Sequence, residues 1–325
     1  MSSVRITGTG SSVPDRVLSN PDFEKMVDTS DEWIRERTGI LERRIADPDV
    51  ASSDMGYEAS LKALESASID PLDIDGIIVG TVTPDYLFPS TSCIIQRLLG
   101  AKNAFAFDVL AGCSGFIYAL QAGKGIIESG DAENILVIGA ETLTRITDYS
   151  DRSTCILFGD GAGAAVISKS DSPGVLSIYI GANGDEWDTI IQPSGGSRLP
   201  ASEETVKKGL HYLKMKGNDV FKEGVKGLEY ASLEAIKKAD VTTDQIDLFI
   251  PHQANFRIMD AVRKRLNLSP EKLFVNIDKY GNTSSASVPI ALDEAVRSGR
   301  VKKDDHILFA VIGAGFTWAS AVIRW

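Results

Sequence analysis

The sequence predicts an α/β protein made of two similar halves packed about a pseudo-dyad, and three observations predict it. The segment from Ala59 to Ile78 aligns without gaps on Ala231 to Ile250, an offset of 231 − 59 = 172. The same offset carries Ala119-Leu120 onto Ala291-Leu292 and Ile135-Leu136 onto Ile307-Leu308, so three separated segments agree on one register. In each copy a helical pattern leads through an Ile-Asp step into an apolar strand, and another helix and strand follow.

Taken in order, Met1 to Gly8 reads as a first strand: it has neither the cationic start nor the long apolar run of a secretory signal. Ala59, Ala63 and Ala67, and in the second copy Ala231, Ala235 and Ala239, place small residues on one helical face. Such alternation predicts mainly parallel sheets covered by helices. Phe105 to Leu110 reads as a strand and Gly115 to Ala122 as a helix. Gly159-Asp160-Gly161-Ala162-Gly163 looks superficially like a dinucleotide loop, but Ala164 to Ser168 continues as a strand, which removes the strand-turn-helix context that nucleotide binding needs.

Gly181 to Gly217 is rich in glycine, proline, serine and charge and predicts a long connection over a binding face. We place the division of the halves there, 1–180 and 181–325. Gly217-Asn218 is read as capping a helix that runs to about Ala239, with Phe221, Val225, Leu228 and Ile236 as its apolar stripe. Ile307 to Ile323 is nearly long enough for a membrane span, but Gly313, Gly315, Thr317 and Ser320 turn it into two buried strands around a glycine turn.

Charge and cysteine content bound the function. Acidic residues outnumber basic ones by 45 to 34, and a net charge of −11 argues against general affinity for nucleic acid or anionic membrane. Three scattered cysteines without a C-x-x-C pair suit a reducing, cytoplasmic compartment better than a disulfide framework or a zinc site. No metal-ligand cluster stands out.

Cys113 falls at the turn between the strand ending near Leu110 and the helix starting at Gly115. A thiol there feels the positive end of the helix dipole, which favours the nucleophilic thiolate, and Ala111, Gly112, Ser114 and Gly115 leave room for a substrate. Cys93 and Cys155 read as packing thiols. His252 follows the strand Leu248 to Pro251 at the end from which ligands approach α/β sheets, whereas His211 and His306 lack that position. Under the repeat, Cys113 + 172 is Ser285, so Asn282 lies just before the helix equivalent to the one Cys113 precedes. Cys113, His252 and Asn282 are thereby expected on turns that open on one face. Read from the residues alone, a buried packing thiol remains open for Cys113, and a turn or cap for Asn282.

The motifs together resemble the β-ketoacyl-acyl carrier protein synthase III family of the thiolase fold, over essentially the whole chain. They are Ser30-Asp31-Glu32-Trp33, Arg37-Thr38-Gly39-Ile40, Phe88-Pro89-Ser90, Cys113-Ser114-Gly115-Phe116, Asp151-Arg152, Phe158-Gly159-Asp160-Gly161-Ala162, Pro251-His252-Gln253-Ala254-Asn255, Gly281-Asn282-Thr283-Ser284 and Gly315-Phe316-Thr317-Trp318. The resemblance implies a layered α-β-α-β-α architecture. It implies decarboxylative condensation of an acyl-CoA with malonyl-acyl carrier protein to 3-oxoacyl-acyl carrier protein, CoA and carbon dioxide, without a cofactor.

In the implied mechanism Cys113 carries the acyl group, the amides of Cys113 and Ala314 hold the oxyanion, and His252 and Asn282 donate to the enolate. Trp33 and Arg152 would sandwich the CoA adenine, Arg37 would reach its phosphates, Thr38 would join the CoA contacts, and Gly217, Phe221 and Asn255 would line the pantetheine tunnel. Leu143 and Phe158 would shape the acyl pocket, together with Phe88 reaching across a homodimer interface. Carrier protein, itself acidic, would dock on Lys222, Gln253, Ala254, Asn255, Phe256, Arg257, Lys264 and Arg265. Ala314 stands where the family commonly has glycine, Gly112 where it commonly has alanine, and Lys216 adds charge near the tunnel mouth. Three other readings stay open on the residues: a thiolase-fold acyltransferase without decarboxylation, a Cys-His-Asn peptidase, and a non-catalytic acyl-CoA-binding subunit.

Overall fold

The Ile-Asp step recurs because in both halves it pins a parallel strand. Asp75 donates its N–H to the Asn134 carbonyl at 2.9 Å, and its carboxylate accepts the N–H groups of Glu133 at 2.7 Å and Asn134 at 3.0 Å. Asp247 repeats this on His306, donating to its carbonyl at 2.9 Å and accepting its N–H at 2.9 Å. These bonds belong to a computed structural model that describes residues 3–325. Met1 and Ser2, read as the start of the first strand, and the side chain of Asn218, read as part of a helix cap, lie outside the described residues.

The first half holds strands β1 (Ser3–Ser12), β2 (Gly76–Gly80), β3 (Phe105–Val109), β4 (Asn134–Thr142) and β5 (Asp160–Ser170), in the order β1-β5-β4-β2-β3. The second holds β6 (Val175–Ala182), β7 (Leu248–Pro251), β8 (His306–Gly313) and β9 (Thr317–Arg324), in the order β7-β8-β9-β6. Both sheets are mixed rather than mainly parallel. The helical crossovers make β2, β3 and β4 parallel, and likewise β7 and β8, while β5 and β9 return antiparallel beside them. The counterpart of β3 in the second sheet is reduced to a bridge between Phe249 and Leu273. A division at residue 180 cuts through β6, which pairs with β9, so the second half starts by Val175.

The helices are α1 (Asp31–Thr38), α2 (Ser52–Ala67), α3 (Thr91–Leu99), α4 (Gly115–Ser129), α5 (Gly217–Lys238), α6 (Phe256–Arg265) and α7 (Ser287–Arg297). The sheets are covered on both faces, which is why their strands read as continuous apolar runs. Alternate residues assign the layers. Ile77 and Val79 pack outward with Ala59 and Ala63 of α2 and Ile95 of α3, while Ile78 packs inward with Phe116 and Leu120 of α4. In the second sheet Phe249 packs outward with Val225 of α5 and Ile258 of α6, while Leu248 and Ile250 join Val288 and Leu292 of α7 in the same inner cluster as Ile78. The result is five layers, α-β-α-β-α, with α4 and α7 in the middle. Full burial of a side chain such as Ile78 contributes about 2 kcal/mol before entropy is charged.

This arrangement brings the starts of α4 and α7 together. A Cβ on Gly115 would lie 3.4 Å from the Ser285 Cβ, so the turn carrying Cys113 meets the turn carrying Asn282.

Candidate active site

The Cys113 turn is built against the Gly313–Phe316 turn of the other half. Gly112 has φ +56°, and a Cβ there would sit 2.6 Å from the Ala314 nitrogen; a Cβ on Gly313 would sit 2.5 Å from the Cys113 nitrogen. A side chain at either position would have to push the facing backbone aside. Thr317 fastens them by donating its hydroxyl to the Ala111 carbonyl at 2.8 Å, and Ser114 donates to the Thr317 carbonyl at 3.3 Å. Among the described residues neither the Cys113 N–H nor the Ala314 N–H donates to another residue, so both remain available to an oxyanion.

Cys113, His252 and Asn282 all line one cavity of about 340 Å³. Leu143 and Phe158 form part of its apolar wall, and Ala314 and Ala254 also face it. Ile190, Ile191, Leu213 and Met215, from the connection between the halves, roof it, as expected for a segment laid over a binding face. Lys216 at its end is paired with Asp188 at 2.7 Å.

The electrostatics differ from expectation at Cys113. Burial is the largest influence and pushes the thiol up to about 11, with the Ser284 hydroxyl acting the other way. Cys113 keeps partial access to the cavity, Cys155 is buried, and Cys93 is exposed rather than packed.

Burial pushes His252 down to about 4, so its imidazole is neutral. Its Nδ1 lies 2.7 Å from the Ser287 hydroxyl, and that oxygen accepts the Gln253 N–H at 3.4 Å. Giving the Ser287 proton to Nδ1 uses every polar group of this trio, and it places the ring's own proton on Nε2. Asn282 is held by its main chain, donating to Leu157 at 2.8 Å and accepting from Gly159 at 3.1 Å. Its Oδ1 accepts the Ser284 N–H at 2.8 Å, so Nδ2 is the end left to donate. The sequence assigned no role to Ser284, which only closes a family motif, or to Ser287; in a run of hydroxyl residues only the fold shows which ones are aimed.

The outer residues divide. The Arg152 guanidinium lies 4.9 Å from the Trp33 ring centroid and that of Arg37 5.9 Å, so the three share one exposed corner. Phe221, near the start of α5, is covered by Arg257 at 5.6 Å, and Gly217 opens that helix. Asn255 caps α6 through Oδ1 and donates to the Arg37 carbonyl at 3.0 Å. Thr38 does not join this group: it is buried, its hydroxyl donating to Ile34 at 2.6 Å and accepting the Ile40 N–H at 3.0 Å. Gln253 is equally unavailable to a docking protein, buried and bonded to Pro251, Phe274 and Asn276.

Lys222, Phe256, Arg257, Lys264 and Arg265 are exposed, but Lys264 is paired with Asp260 at 2.7 Å and Arg265 with Glu229 at 2.6 Å. Phe88 is 85% exposed and stands outside this chain's own cavity.

Comparison with known proteins agrees across the chain. Residues 107–184 match the family model for 3-oxoacyl-[acyl-carrier-protein] synthase III, and residues 236–325 match the model for its C-terminal part. The β-ketoacyl-[acyl-carrier-protein] synthase III of Caldanaerobacter subterraneus subsp. tengcongensis is 57% identical over 321 residues, 98% of this chain and 97% of that one. The Clostridioides difficile protein of the same name is 50% identical over 320 residues, 98% of each. The crystal structure of 3-oxoacyl-[acyl-carrier-protein] synthase III from Aquifex aeolicus superposes with a TM-score of 0.91 at 46% identity, covering 99% of this chain and 100% of that one.

Proposed function

The chain belongs to the 3-oxoacyl-[acyl-carrier-protein] synthase III family, and from that premise we propose that its chemistry runs through Cys113, His252 and Asn282. It is an acyltransferase that catalyses the initiating condensation of fatty-acid synthesis. Its substrates are an acyl-CoA and malonyl-acyl carrier protein. The observation that carries the reading is the meeting of one sulfur, a neutral imidazole, a carboxamide and two free amides around a single apolar cavity.

Cys113 Sγ attacks the thioester carbonyl, whose developing oxyanion is held by the N–H groups of Cys113 and Ala314. The thiol of the free enzyme, raised to about 11, gives up its proton as the leaving CoA thiolate takes one. Malonyl-acyl carrier protein then loses carbon dioxide, and the negative charge moves to its thioester oxygen. His252 Nε2–H and Asn282 Nδ2–H donate to that oxygen, at about 3 kcal/mol for each donor. The enolate carbon attacks the acyl-cysteine, and Cys113 leaves as thiolate. A neutral His252 suits this step, because a cation there would stabilise the carboxylate that has to depart.

Trp33, Arg37 and Arg152 are assigned to the CoA nucleotide, Leu143 and Phe158 to the acyl chain, and Lys222 and Arg257 to carrier protein. A second copy of the chain is assigned to the edge of the first sheet. There Phe105, Phe107 and Leu110 of the β3 region are exposed together with Leu87 and Phe88, an uncovered apolar edge that a soluble monomer would be expected to blunt. No helix among the described residues is long and apolar enough to cross a membrane, and its cysteines are free, which supports a cytoplasmic location.

The test offers a panel of acyl-CoAs, reads the protein's mass, then adds malonyl-acyl carrier protein and measures carbon dioxide. The expected result is one acyl group on Cys113, absent from Cys113→Ala and discharged with carbon dioxide. Discharge without carbon dioxide, or no adduct, overturns the reading.

A further inference from the structure

Glu141 is a carboxyl side chain at 0% exposure on β4, and its surroundings bind the two halves together beneath the site. From the first half, Oε2 accepts the Thr83 hydroxyl at 2.6 Å, the Val82 N–H at 3.1 Å and the Thr81 hydroxyl at 3.3 Å. From the second, Oε1 lies 2.7 Å from the Ser285 hydroxyl and 3.4 Å from the Ser285 nitrogen. Ser285 sits in the turn three residues after Asn282, and its Cβ lies 3.4 Å from where a Cβ on Gly115, two residues after Cys113, would stand.

Counting protons fixes the charge. The Thr83 oxygen accepts the Thr142 N–H at 2.9 Å, so its own proton goes to Oε2. The Ser285 oxygen lies 2.7 Å from two atoms that would both be acceptors, the Gly80 carbonyl and Oε1 of an ionised Glu141. One hydroxyl proton cannot serve both at that distance. Both bonds form when Oε1 carries a proton: Glu141 donates to Ser285, and Ser285 donates to Gly80. We propose that Glu141 is a protonated, neutral positioning residue that clamps the Asn282 turn to the first half, and thereby sets Asn282 against Cys113 without placing a negative charge beside the thiolate and enolate. Full burial, the largest influence on its pKa, acts in the same direction. The inference rests on the assignment of Cys113 and Asn282 above.

Infrared difference spectra between the wild type and Glu141→Gln give the direct test. The expected result is a protonated-carboxyl band at neutral pH that Glu141→Gln lacks; a carboxylate band instead overturns the proposal. Kinetics test the clamp. Glu141→Gln keeps a donor for Ser285 and an acceptor for Thr83, so condensation is expected within about fivefold of wild type. Glu141→Ala releases the turn, and carbon dioxide release from malonyl-acyl carrier protein is expected to fall about 100-fold, with acylation of Cys113 reduced less. A Glu141→Gln enzyme that folds yet is disabled would show that the charge is required, and a folded Glu141→Ala with wild-type rates would show that no clamp exists. Should Glu141→Ala not fold, the spectrum and the Gln variant still decide. Acyl transfer surviving in Cys113→Ala would instead sink the site assignment, a result independent of Glu141.

Discussion

His252 Nδ1 lies 2.7 Å from the hydroxyl of Ser287, the first residue of α7. The histidine belongs to the strand end of one sheet and the serine to the central helix layer, so the tautomer of the imidazole is set by how the layers stack. Without that hydroxyl, the neutral ring is free to carry its proton on Nδ1, where it cannot reach an enolate.

Ser287→Ala is therefore expected to slow decarboxylation about tenfold, the worth of one orienting hydrogen bond, while leaving the rate of Cys113 acylation unchanged. Stopped-flow measurement of the two half-reactions checks this. Equal losses in both would mean that Ser287 supports the fold and not the ring.

Acid stability follows from the same burial. His252 titrates at about 4 in the folded chain and near 6.5 when exposed. Between those values the unfolded chain binds a proton that the native state refuses, so stability is retained above about 6.5 and lost as the pH falls toward 4. The full loss is on the order of 3 kcal/mol. Denaturant midpoints measured across this window should fall more steeply for the wild type than for His252→Gln. Parallel slopes would show that His252 is not buried neutral.

Gly112 and Ala314 are expected to act as a pair. Placing alanine at 112 adds a side chain at φ +56° and drives its Cβ to 2.6 Å from the Ala314 nitrogen, a backbone atom that cannot swing aside. Gly112→Ala should lower the melting temperature and slow acylation of Cys113 about tenfold through a tilted oxyanion donor. Ala314→Gly, which frees that turn, should restore part of the loss in the double variant and do little alone. Strict additivity in this cycle would refute the coupling.

How far the site was legible depends on what kind of fact each residue needed. Cys113 and Asn282 could be related from sequence because the 172-residue repeat matches the turns that carry them, and His252 because it follows a strand end; turn position is a property of the chain's path. Side-chain direction is not. Thr38 belongs to a CoA-associated motif, yet it lies four residues after the buried Ile34 and points inward with it, a helical spacing that was available and outweighed by the motif. Gln253 adjoins His252 but spends its amide on the backbone of its own half. Glu141 had a visible signal, an acidic residue ending the apolar run from Ile135 to Ala140, but its partners come from two distant segments, Thr81 to Thr83 and Ser285, that only folding collects. β5 and β9 were both legible as strands, but their antiparallel direction was not, for a related reason: strand direction depends on whether the connecting chain crosses the sheet or turns back beside it.

The docking face separates free charge from spent charge. Lys222 and Arg257 have no carboxylate partner among the described residues, whereas Asp260 and Glu229 already neutralise Lys264 and Arg265 at 2.7 and 2.6 Å. An acidic carrier protein gains attraction from the first two and would have to break existing pairs to use the others. Lys222→Glu is thus expected to raise the KM for malonyl-acyl carrier protein about tenfold at low salt, and Lys264→Glu less than about threefold. Arg257→Glu should resemble Lys222→Glu, with an added rise in KM for acyl-CoA because Arg257 also covers Phe221. The contrast should vanish near 1 M salt, where the screening length is only about 3 Å. If all the reversals act alike at low salt, docking is governed by the summed charge of the face rather than by its unpaired members.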